Sequence, residues 1–137
     1  MRQITMIGIV GATAILISGC GGGTGTFADK PRPPQPITIT GSVSNSRVLI
    51  FPTTFGAGPI NLIVTNAASR SVSLAVQDAR GRAVANLQSI NPQTPGDVKF
   101  DIAPGDYVVI ASPAGIKPAE LHVRSERPSQ GNGVLQP

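Results

Sequence analysis

Short apolar segments rich in β-branched residues recur at intervals of roughly ten residues, a spacing typical of β-sandwiches and barrels. The most regular segment alternates Val72, Leu74 and Val76 with small or polar residues, as a strand with one buried face does. The segments are 37–40, 47–51, 60–66, 71–77, 83–87, 98–102, 107–111 and 120–124. No long stripe of apolar residues at helical spacing competes with them. The pattern predicts an all-β domain.

The segment 107–111, Tyr-Val-Val-Ile-Ala, is apolar at every position. Strands that are buried on both faces read as continuous apolar runs, whereas half-exposed strands alternate. We therefore expect this strand to lie centrally in its sheet and to be covered on both faces.

Composition excludes several classes of site. The chain has one Cys and one His, so it can form no internal disulfide and no structural zinc site, which needs four such ligands. The net charge of +4 is spread over scattered Arg and Lys residues without interleaved aromatic residues, which argues against nucleic-acid binding. We expect no metal, no other cofactor and no nucleic acid.

The first nineteen residues have the three parts of a secretory signal peptide: Arg2, an apolar run from Ile4 to Ile17, and small residues after it. The run is shorter than the about 20 residues of a transmembrane helix. The sequence Leu16-Ile17-Ser18-Gly19-Cys20 resembles the lipobox of bacterial lipoproteins. That resemblance implies cleavage between Gly19 and Cys20, and lipid, including palmitate, on Cys20. The alternative is a plain signal peptide or anchor with a chance Cys.

Four segments follow from this division: a signal peptide (1–19), a lipidated Cys with a stalk (20–36), a folded domain (37–124) and a disordered tail (125–137). The stalk begins with a flexible Gly-rich part and ends in a stiffer Pro-rich part. The Gly-rich part lacks the Lys-Ser/Thr ending of a phosphate loop. The Pro-rich part could bind a partner domain, but a spacer fits an exported stalk better.

Residues 58–124 resemble the cupredoxin-like sandwich, a small Greek-key β-sandwich of about seven or eight strands. The resemblance lies in a strand that ends on Asn66, in the following strand 71–77, in the hairpin 98–107 with its Pro-Gly-x-Tyr turn, and in the closing strand around His122. Pro-Gly-x-Tyr hairpins also occur in immunoglobulin-like and transthyretin-like modules, so the strand order stays open.

The copper ligands of that family are missing. The resemblance implies a His near the start of strand 71–77, where this chain has Ser69, Arg70 and Ser71. It also implies a Cys after the strand that bears Tyr107, then a His and often a Met, but residues 111–118 contain none of these. The resemblance therefore implies the fold without the copper.

Two further features are candidate sites. Leu121 and Val123 are expected to point inward, so His122 lies outward as a solvated residue; a catalytic role would need a nucleophile and an orienting acid beside it. Residues 51–59 read as a Gly/Pro-rich loop with Phe51, Phe55 and Pro59, either covering the core or forming an exposed contact site.

The sequence thus predicts a non-enzymatic binding or structural module, lipid-anchored at the extracytoplasmic face of the cell membrane, or at the outer membrane where the source has two. Its partners are the membrane, through the lipid, and a protein of the cell envelope. The alternative is an accessory subunit of a membrane transporter or respiratory complex. An enzyme that works through His122 is the least favoured hypothesis.

Overall fold

The computed structural model describes residues 33–129, which fold into eight β-strands. The predicted signal peptide, Cys20, most of the stalk and the tail beyond residue 129 lie outside the described residues. Within residues 33–129 no helix is long and apolar enough to span a membrane. The strands are β1 (Ile37–Val43), β2 (Val48–Phe51), β3 (Thr54–Asn66), β4 (Val72–Asp78), β5 (Ala83–Ile90), β6 (Pro95–Ile102), β7 (Gly105–Ser112) and β8 (Ala119–Glu126). The all-β prediction is confirmed, and each predicted segment overlaps one of the eight strands.

Strand β3 belongs to both sheets of the sandwich. Its residues from Ile60 to Asn66 pair with β1, and those from Gly58 to Thr65 pair with β6. Its first residues, from Thr54 to Ala57, pair instead with β8. Gly58 lies at the junction with a φ of 122°, which favours glycine because it has no Cβ. One sheet therefore has the order β2-β1-β3-β6, and the other β3-β8-β7-β4-β5.

The core forms where the alternating strands of both sheets turn their apolar faces inward. Ile60, Leu62 and Val64 of β3 are buried, as the sequence predicts, and so are Val72, Leu74 and Val76 of β4. The buried side chains of the two sheets form a single cluster. Since each fully buried aliphatic side chain contributes about 1.5–3 kcal/mol, this cluster is the main stabilising element of a domain that holds no disulfide.

Two expectations about individual strands are wrong. Strand β7 lies between β8 and β4, as predicted, but it is not covered on both faces. Within the described part of the chain Val108 is only half-buried and Ile110 is 39% exposed. The apolar run arises because its outward positions carry aliphatic residues that remain open to solvent. The domain also ends later than residue 124, because β8 runs to Glu126 and Arg127 is hydrogen-bonded beyond it.

The sandwich has two ends with different contents. At the lower end the chain enters the domain at Pro34, beside Gly58. The chain also leaves the domain at this end, after Arg127. At the upper end lie the connections β1–β2, β3–β4, β5–β6 and β7–β8, which hydrogen bonds join to one another. The Lys117 amide donates to the Ser46 carbonyl at 2.8 Å, and the Ser69 amide donates to the Asn45 side chain at 3.0 Å.

Candidate functional site

The upper end is organised around one buried polar side chain, that of Asn66. Its Nδ2 donates to the carbonyl oxygens of Arg70 and Ile90, each at 2.8 Å, and its Oδ1 accepts the Ala68 amide at 2.8 Å. A fully buried amide is tolerated when all its hydrogen bonds are made. Asn66 therefore fixes the β3–β4 connection against the end of β5, and both of its donor hydrogens are used in doing so.

The same upper end is where the cupredoxin resemblance implies copper, and its side chains do not fit the metal. The β3–β4 connection contains Ser69 and Ser71. The β7–β8 connection contains the exposed Lys117 and the buried Ile116. Blue-copper sites need imidazole and thiolate ligands. Residues 33–129 hold no group of three His, Cys, Asp or Glu side chains that could bind a metal.

The predicted contact loop is mostly strand. Phe51 ends β2 and Phe55 and Pro59 lie within β3, so only Pro52 and Thr53 connect the two strands. Phe51 is 77% exposed, whereas Phe55 is 8% exposed and belongs to the core. Alternation holds within each strand, but the buried positions are Val48 and Ile50 in β2 and Phe55 and Ala57 in β3, so the two-residue connection shifts the inward positions by one residue. Of the two aromatic residues only Phe51 is available for contact.

His122 points outward from β8, as predicted, between the buried Leu121 and Val123. Its Nδ1 lies 2.8 Å from Oδ1 of Asp106, its cross-strand neighbour on β7. Sequence reasoning missed this acid, because the β7–β8 register decides which residue faces His122. Both side chains are largely exposed, and within residues 33–129 no hydroxyl group hydrogen-bonds to His122. Among the described residues the pair therefore has no nucleophile of a catalytic triad beside it.

A groove separates β2 from β8. The two strands run side by side and are joined at both ends of the groove. At the upper end the Val48 amide donates to the Lys117 carbonyl at 2.8 Å, and at the lower end the His122 amide donates to the Thr53 carbonyl at 2.8 Å. Between these bonds the strands diverge and leave a cavity of about 480 Å³.

The rim of this groove is basic at its upper end. Arg47 and Lys117 face each other across an isolated bridge between the two chain segments, and both are exposed. Leu49 follows on β2 and is 51% exposed, and Glu120 follows on β8. Sequence reasoning missed this site too, because Arg47 and Lys117 are seventy residues apart and carry no local signal.

Comparisons of the sequence with protein-family models and with curated proteins find no match. Two solved structures resemble the fold at 16% sequence identity and a TM-score of 0.52 each. One is auracyanin A, a "blue" copper protein from the green thermophilic photosynthetic bacterium Chloroflexus aurantiacus, which aligns over 66% of this chain and 100% of its own. The other is auracyanin B, which aligns over 67% of this chain and 90% of its own. At this identity the likeness shows the fold, a cupredoxin-like β-sandwich, and confirms the predicted fold class.

Proposed function

We propose that the chain is an extracytoplasmic lipoprotein whose cupredoxin-like domain serves as a non-enzymatic binding or structural module without copper. The observation that carries the proposal is the match of Leu16–Cys20 to a lipobox, with the only Cys of the chain at the required position. Two acyl chains anchor a protein stably, because each buried methylene contributes about 0.8 kcal/mol.

Cys20→Ser tests the anchor. The wild-type protein is expected to incorporate labelled palmitate and to remain in the membrane fraction, while the variant loses the label. Ser18→Ala is the matched control, since it keeps a small residue in the motif and should be lipidated normally. Equal labelling of wild type and Cys20→Ser would disprove the lipobox interpretation.

The proposal that the domain works without copper rests on its side chains at the upper end. Ser69, Arg70 and Ser71 stand where the resemblance implies a His ligand, and residues 111–118 contain none of the Cys, His or Met that it implies there. Equilibrium dialysis of the full-length protein against Cu²⁺ should leave no stoichiometric, tightly bound ion. Tight binding of one copper per chain would refute this part of the proposal.

A second candidate function, an accessory subunit of a membrane complex, is favoured by the exposure of Phe51 on strand β2. Surface aromatic residues of this size are enriched in protein interfaces. Affinity purification of the lipidated protein should then recover one membrane complex reproducibly, and recovery should fall for Phe51→Ser. If the same complex is recovered equally well with Phe51→Ser, or if none is recovered, this candidate fails.

A further inference from the structure

The groove between β2 and β8 exposes strand edges that no partner covers within residues 33–129. Backbone groups point to alternate sides of a strand. The Val48 amide points toward β8, so the backbone of Ile50, two residues on, points the same way. The His122 amide points toward β2, and so does the backbone of Glu120. No backbone hydrogen bond in the described residues joins Ile50 to Glu120 across the gap.

The charges at the upper end of the groove are unbalanced. Neighbouring strands lie only about 4.8 Å apart, and like charges directly opposite each other are destabilising. Arg47 and Lys117 nevertheless face each other, and no carboxylate of residues 33–129 lies within ion-pair distance of either. An anion between the two cations would remove this repulsion.

We propose that the groove binds an extended acidic segment of a partner polypeptide. The segment lies over the groove, and its backbone hydrogen-bonds to the free backbone groups of Ile50 or Glu120 between the two joined ends. A carboxylate of the segment lies between Arg47 and Lys117, and an apolar residue beside it covers Leu49. This inference rests on the proposed binding function and names the class of its partner.

The position of the groove favours a polypeptide over the membrane surface. The stalk enters at the lower end of the domain, where Arg127 holds Gln35, whereas the cations lie at the upper end. The stalk therefore leaves the domain on the side away from the two cations.

The test uses the full-length mature protein, purified in a neutral detergent, and a phage-displayed library of random peptides. Enriched peptides are synthesised, and their affinity is measured by fluorescence anisotropy. We expect Asp or Glu beside an apolar residue in the enriched sequences, and protection of the Ile50 and Glu120 amides from hydrogen exchange in the complex. The Arg47→Gln/Lys117→Gln variant should bind about tenfold more weakly, which corresponds to about 1.4 kcal/mol, since it loses two exposed ion pairs.

The control variant is Arg80→Gln/Lys99→Gln, which removes two exposed cations distant from the groove and should bind like wild type. Several results would overturn the proposal: no enrichment, enrichment of neutral or basic peptides, or equal affinity for the Arg47→Gln/Lys117→Gln variant. Displacement of the peptide by phosphatidylglycerol vesicles would identify a lipid surface as the occupant, and a dimer lost in this variant would identify a second copy. Palmitate labelling at Cys20 is measured separately, so failure of the groove is distinguishable from failure of the anchor.

Discussion

Arg127 and Gln35 are 92 residues apart in sequence, and Nη1 of Arg127 donates a hydrogen bond of 2.9 Å to the Gln35 carbonyl oxygen. The same guanidinium donates through Nε to the Ala57 carbonyl at 3.1 Å and through Nη2 to the Pro59 carbonyl at 2.6 Å. A planar group with several donors thus ties the entry of the chain, the bend of β3 and the end of β8 together. Because Gln35 belongs to the predicted stalk, the stalk is fixed to the domain at its last residues.

Arg127→Gln should lower the free energy of unfolding by about 1–3 kcal/mol, because a charged donor is lost and carbonyl oxygens at the lower end lose their partner. Urea denaturation of the full-length protein measures the change. Arg124→Gln is the matched control, since Arg124 is exposed and makes no side-chain hydrogen bond within residues 33–129. Equal effects of the two substitutions would show that the three bonds of Arg127 contribute nothing.

Asn66→Ala should cost about 2–4 kcal/mol of stability, since the backbone groups of Ala68, Arg70 and Ile90 lose the hydrogen bonds that the buried side chain makes. Asn61 on the same strand gives the opposite prediction. Its Oδ1 is buried and has no hydrogen-bond partner within the described residues. Asn61→Val should therefore be neutral or stabilising, because an unsatisfied polar atom is replaced by a β-branched side chain. Thermal denaturation of both variants checks the contrast, and a larger loss for Asn61→Val would contradict it.

The fold could be predicted from the sequence because periodicity reports which residues face inward. Alternation alone predicts that Ile60, Leu62 and Val64 face inward, and all three are buried. The sites could not be predicted, because they depend on strand register and on contacts between distant segments. The β7–β8 register places His122 opposite Asp106. Arg47, in the β1–β2 connection, lies opposite Lys117, in the β7–β8 connection. Nothing local in the sequence specifies either pairing.

Phe51 and Phe55 should differ sharply when each is replaced by Ala. Phe55 lies in the core, and its truncation should cost about 3–5 kcal/mol because a cavity forms among the buried side chains. Phe51 is exposed at the end of β2, and its truncation should change stability by less than about 0.5 kcal/mol. Chemical denaturation of the two variants, compared with wild type, measures the difference. Similar losses would mean that Phe51 is also packed against the domain.

Asp78 should make stability depend on pH in the acid range. Backbone hydrogen bonds from Arg82 and Arg80, at 2.9 and 3.0 Å, hold the pKa of its carboxyl below the ordinary value of 3.8, and the Arg82 guanidinium adds to the effect. Because the folded state lowers this pKa, the contribution is complete above 3.8 and is lost as the pH falls through the lower pKa of the folded state. Asp78→Asn should therefore be less stable than wild type at neutral pH, and the difference should shrink in acid. Arg82→Gln keeps the backbone amides and should keep most of this pH dependence. Urea denaturation across the acid range measures both variants, and a difference that grows as the pH falls would contradict the assignment.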